Sequence, residues 1–123
     1  MYQYTLSAAG NVAQRYRQHP GRPLMEMEEV QFESYQRNIR RAVEILKGAG
    51  CTDIFLFGSL ATGKARDRSD IDLAIRGCPK GAFFYLLGRL LLELDYPVDL
   101  VNLDRQDAFA RYLEKEGDLL QIG

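Results

Sequence analysis

Three aspartates stand where a strand would normally carry an inert polar residue. Asp70 and Asp72 lie two apart in Asp70-Ile71-Asp72-Leu73-Ala74-Ile75, and Asp99 sits inside Val98-Asp99-Leu100-Val101-Asn102. Successive strand residues face opposite ways, so Asp70 and Asp72 share a face with Cα atoms about 6.6 Å apart. Two carboxylates at that spacing can converge on divalent cations. Asp99 adds a third ligand if its strand lies alongside. With oxygen donors alone, magnesium or manganese is the expected metal. Magnesium tends to keep open positions for substrate phosphates, which points to a nucleoside triphosphate as the completing ligand. A two-ion site of this kind activates an attacking hydroxyl and holds a departing pyrophosphate.

A second feature precedes the first aspartate. Gly58-Ser59 follows the apolar run Asp53-Ile54-Phe55-Leu56-Phe57. A glycine there lets the backbone approach phosphate, and the Ser59 hydroxyl can donate to its oxygens. Lys64 and Arg66 follow closely, with Arg68, and can offset triphosphate charge. The stretch Gly58-Ser59-Leu60-Ala61-Thr62-Gly63-Lys64 nearly matches a P-loop, but Ala65 lacks the hydroxyl that motif needs for magnesium. A strand, and not a long helix, follows. Asp-x-Asp or Gly-Ser alone would be a weak signal; their succession carries the reading.

The elements that must position these residues follow from periodicity. Phe32, Tyr35, Ile39, Ala42, Val43 and Leu46 recur at helical spacing within Met25 to Lys47. Strands are expected at 53–57, 70–75 and 98–102. A strongly apolar helix from Gly81 to Tyr96 places Phe83, Phe84, Leu87, Leu90, Leu91 and Leu94 on its buried face. A last helix capped by Asp104 runs to Glu116, with Phe109, Tyr112 and Leu113 inward. Residues 118–123 read as an edge strand or a tail. The link of about ten residues between the first two strands is too short for a crossover helix. Those strands are therefore antiparallel and the sheet mixed, giving an α/β (α+β-like) domain with a small sheet flanked by helices.

The 123 residues fit one domain, 25–123, preceded by an extension at 1–24 that includes the loop His19-Pro20-Gly21-Arg22-Pro23. The extension is either docked on the domain or unstructured. His19, the sole histidine, has no neighbouring ligand and receives no role. The formal charge of −1 gives no general reason to expect nucleic acid as a partner. No apolar run spans a membrane and no secretory leader is visible, so a cytoplasmic setting is expected. In that compartment Cys51 and Cys78 are expected as free thiols. The leucine surplus of the 83–94 helix exceeds one buried face and leaves a homo-oligomer or partner contact open.

Gly58-Ser59-Leu60-Ala61-Thr62-Gly63-Lys64-Ala65-Arg66-Asp67-Arg68-Ser69-Asp70-Ile71-Asp72-Leu73 resembles the signature of the minimal nucleotidyltransferases of the DNA polymerase beta superfamily, roughly G-S-x-A-R-G-x-A-R-x-x-S-D-I-D-L. Thr62 stands where the signature has arginine. The resemblance covers about Ala42 to Leu113. It implies a polymerase-beta-type fold and transfer of AMP from ATP to a hydroxyl, with pyrophosphate released. It also implies two magnesium ions on Asp70, Asp72 and Asp99, triphosphate held by Gly58 and Ser59, and Asp99 as the group that helps deprotonate the acceptor. Many small members look like antitoxins that adenylylate a HEPN-type toxin on tyrosine. Two alternatives remain at this level: a non-catalytic binding subunit on the same fold, and transfer to a small-molecule hydroxyl such as an antibiotic.

Overall fold

The computed structural model describes residues 29–65 and 69–123. The N-terminal extension, the start of the first expected helix, and Arg66 to Arg68 lie outside the described residues. Helix α1 covers Glu29–Gly48, strand β1 Asp53–Phe57, the short helix α2 Gly58–Thr62 and strand β2 Ile71–Arg76. Helix α3 (Phe83–Glu93), strand β3 (Val98–Asn102), a 3-10 turn (Leu103–Arg105), helix α4 (Ala108–Glu116) and strand β4 (Leu120–Gln121) complete the described residues. No described helix is long and apolar enough to cross a membrane.

The sheet order is β3-β2-β1-β4. β1 runs antiparallel to both β2 and β4, whereas β2 and β3 are parallel, so the sheet is mixed as expected. Alternation divides the strands between two cores. Ile54, Leu56, Ile71, Leu73, Ile75 and Leu100 turn towards α1 and α3 and form the main core with Tyr35, Ile39, Leu46, Leu86 and Leu90. Phe57 and Ala74 turn the other way, onto a smaller core with Leu103, Ala110 and Leu113. Asp72 and Asp99 belong by parity to this second face. α4 covers only part of it, and Asp70 and Asp99 at the other end are exposed.

Three expectations are corrected here. In α3 the inward line is Leu86, Leu90 and Leu94, with Phe83 and Leu87 packed beside it. Phe84, Tyr85, Leu91 and Leu92 face solvent. A helix apolar on every side has no unique phase in sequence. Here the phase agrees with polar ties to α1: Arg41 pairs with Glu93, and Asn38 accepts from the Asp95 N–H at 2.7 Å. In α4 the cap is Asp107, whose carboxylate accepts from Ala110 N–H at 2.9 Å. Asp104 instead accepts from Gly77 N–H at 2.8 Å, because residues 103–105 form the 3-10 turn capped by Asn102. Ala110 and Leu113 are consequently the buried residues of α4, while Phe109 and Tyr112 are about half exposed.

The cysteines are the third correction. Cys51 and Cys78 form a disulfide. The β1–β2 register pairs Asp53 with Arg76, so extending it two residues outward sets Cys51 across from Cys78. Pairing register, which is not visible in composition, brings the two thiols together.

Asn38 is the buried polar residue of the described core. Its amide donates to Ser34 O at 2.8 Å and to Asp95 Oδ2 at 3.1 Å. Removing such a group leaves its partners unmatched at a cost of about 1–3 kcal/mol. Asn38→Ala is expected to lower unfolding stability by that amount in urea titration; an unchanged midpoint would show that the α1–α3 tie carries no stability.

Candidate active site

Each element delivers its functional residue for a local reason. β1 ends at Phe57, the last residue paired with β2, opposite Asp72. The chain must then turn, and Gly58 does so at φ 71°, the left-handed region that favours glycine. A Cβ placed on Gly58 would lie 2.2 Å from Asp72 Oδ2 and 3.1 Å from Asp72 Cγ. The Gly58 backbone thus lies directly against the Asp72 carboxylate, a proximity that sequence reading does not reveal. Ser59 follows in α2. Leu60 and Ala61 bury that helix against the main core.

Gly63 ends α2 at φ 77°. The Lys64 N–H donates to Ser59 O at 2.9 Å. Lys64 itself is exposed. Thr62, at the position where the signature resembled above has arginine, turns its hydroxyl back and donates to the Gly58 and Ser59 carbonyls at 3.3 Å each. It therefore spends its polar group on its own helix. Arg66 lies outside the described residues.

Asp72 and Asp99 are direct partners in the parallel β2–β3 pairing, which places them on one face about 4.8 Å apart between strands. Asp70 precedes β2 by one residue and has the parity of Asp72. Asp72 is half-buried, whereas Asp70 and Asp99 are exposed. Burial, then the charge of Asp99, then that of Asp70, raises the Asp72 pKa from 3.8 to about 6. The structure therefore brings Gly58, Asp70, Asp72 and Asp99 together, with Ser59 adjoining.

Among the described residues no three side chains are drawn into a ready-made metal cage. The donor set nevertheless fits a divalent cation. It offers only carboxylate oxygens, and Asp72 is pushed up by burial first and then by two neighbouring negative charges, which a cation would offset. Asp72 and Asp99 from facing strand positions, with Asp70 at the rim, are the residues that could hold it.

Two measurements check this geometry. Gly58→Ala forces a left-handed alanine, costing about 1–2 kcal/mol, and displaces the Asp72 carboxylate. Denaturant unfolding should show that loss; wild-type stability would mean the turn relaxes freely. The pH dependence has a definite sign. Asp72 keeps its proton up to about pH 6 in the folded chain but loses it near 3.8 when unfolded. The metal-free protein therefore loses stability as pH rises through that window. Asp72→Asn should raise the melting temperature at pH 8 and leave it nearly unchanged at pH 4. The gain is about 1 kcal/mol or less, since solvent screens a half-exposed group.

Comparison with known proteins then adds two findings. The family described as "Polymerase beta, Nucleotidyltransferase" matches residues 40–121. One chain of a toxin–antitoxin crystal structure determined with AMP-PNP superposes with a TM-score of 0.50 at 29% identity, over 63% of this chain and 68% of the other. Among curated proteins nothing matches.

Proposed function

The chain belongs to the polymerase beta nucleotidyltransferase family, and from that premise we propose that it is a magnesium-dependent transferase that moves AMP from ATP to a hydroxyl of a partner protein, a HEPN-type toxin, in an antitoxin role. The observation that carries the reading is the facing pair Asp72 and Asp99 with the Gly58 backbone set against Asp72. Carboxylates held so close are destabilising unless a cation joins them. A phosphate-bearing ligand is the partner that a glycine turn beside them suits.

In this reading the acceptor oxygen attacks the α-phosphorus of ATP. A new P–O bond forms, the bond to the β-phosphate breaks, and pyrophosphate leaves. Asp99, the exposed member of the facing pair, accepts the hydroxyl proton. Asp72, Asp99 and Asp70 would hold the charge-neutralising cations. Gly58 and Ser59 orient the triphosphate, and Lys64 and Arg66 offset its charge. Magnesium, when bound, supplies polarisation of the α-phosphate and neutralises the leaving group.

The neighbour captured with AMP-PNP supports an adenine nucleotide as donor and a toxin as partner. A second reading, a binding subunit that inhibits its partner without catalysis, draws on Thr62, which presents no charge to a phosphate.

Calorimetric titration of ATP, with and without magnesium, and transfer of labelled AMP to a co-purified partner test the proposal. Binding should require magnesium and fall at least tenfold in Asp72→Asn, and label should appear on the partner. Label transfer retained in an Asp70→Asn, Asp72→Asn double variant would falsify the mechanism. Neutralisation of the partner by that variant at equal molarity would establish the binding subunit instead.

A further inference from the structure

Tyr35 is buried to 1% exposure in α1, yet it carries a hydroxyl. That hydroxyl donates to the main-chain carbonyl of Ser69 at 2.8 Å. Ser69 immediately precedes Asp70. The same ring stacks on Tyr96, with centroids 4.0 Å apart and planes 16° from parallel. Tyr96 leads through Pro97 and Val98 into Asp99. Between these two anchored segments runs one further bond: Ile71 N–H donates to Pro97 O at 2.9 Å. That bond joins the chain between Asp70 and Asp72 to the chain just ahead of Asp99.

We propose that Tyr35 is a positioning residue for the carboxylate group. One rigid buried side chain holds both segments from which Asp70, Asp72 and Asp99 project, its oxygen fixing the first and its ring the second. The inference rests on the reading that these aspartates hold a metal–triphosphate complex. A buried hydrogen bond to a carbonyl at this place is more than packing, because phenylalanine would fill the same volume. Asp70 and Asp99 are exposed and have little packing of their own. Their separation is thus set by the backbone beneath them. That backbone is tied on its inner side by Tyr35 and by the Ile71–Pro97 bond. Three carboxylates that repel one another need such a restraint while no cation is present. With it, the cost of gathering them is met before the metal arrives.

Tyr35→Phe keeps the ring and deletes the bond. Ile45→Val serves as a comparison of matched stability loss, since Ile45 is buried about 15 Å further along the same helix. Two quantities are read on the full chain. The first is amide hydrogen exchange at Ile71 in the metal-free protein. The second is the magnesium concentration that half-saturates ATP binding. In Tyr35→Phe the Ile71 amide should exchange about tenfold faster, and the magnesium midpoint should rise about three- to tenfold. Ile45→Val should move neither quantity selectively. Unchanged exchange at Ile71 would overturn the restraint itself. Faster exchange with a magnesium midpoint within twofold of wild type would overturn the positioning role, as would an equal shift in Ile45→Val. If the wild-type chain bound ATP without magnesium, or not at all, the metal–triphosphate reading would fail and the positioning role with it. The exchange result would then still report whether the restraint exists.

Discussion

Strand β2 is the constraint on which the site depends. It is paired along both edges, antiparallel to β1 and parallel to β3. The first pairing ends at Phe57 and Asp72, so the turn after β1 meets the Asp72 carboxylate. The second puts Asp99 beside Asp72. A slip of one residue in either pairing would turn the aspartates into the main core or carry Gly58 away from them. The unbroken apolar line Ile71, Leu73, Ile75 on the opposite face forbids that slip, since it would expose three core side chains. The hydrophobic face thus fixes the register that the polar face uses.

The two faces of the sheet differ in cover for the same reason. α1 and α3 cover one side, where Ile54, Leu56, Ile71, Leu73, Ile75 and Leu100 are buried. α4 is short and rests on Phe57, Ala74 and Leu103. It is fastened by Arg76, which pairs with Glu114, and by Gln106, whose amide donates to Glu114 Oε1 at 2.8 Å. These ties lie towards the far end of β2 from Asp72. Among the described residues, the exposure of Asp70 and Asp99 thus goes with α4 being anchored at the other end of β2.

Much of this was legible in the sequence because alternation in a strand is a two-fold signal. Asp70, Asp72 and Asp99 stand out against Ile71, Leu73, Val98 and Leu100, and the short link after Gly58 forces the antiparallel turn. The phase of α3 was not legible, since Phe84 and Leu91 are as apolar as Leu86 and Leu90. Nor was the cap of α4: Asp104 and Asp107 are both plausible before a helical run, and only the left-handed Gln106 between them separates the two. The Cys51–Cys78 bridge depends on register carried beyond the paired residues. Tyr35 sits at a position whose spacing says core, and its hydroxyl meets a main-chain carbonyl 34 residues away, for which side-chain patterns carry no sign.

The outer face of α3 has a consequence for the chain as a solute. Phe84, Tyr85, Leu91 and Leu92 recur at helical spacing around Gly88 and stand 78%, 65%, 51% and 87% exposed. A net charge of −1 supplies almost no long-range repulsion between copies. Attraction between copies along this stripe then grows with concentration against little electrostatic opposition.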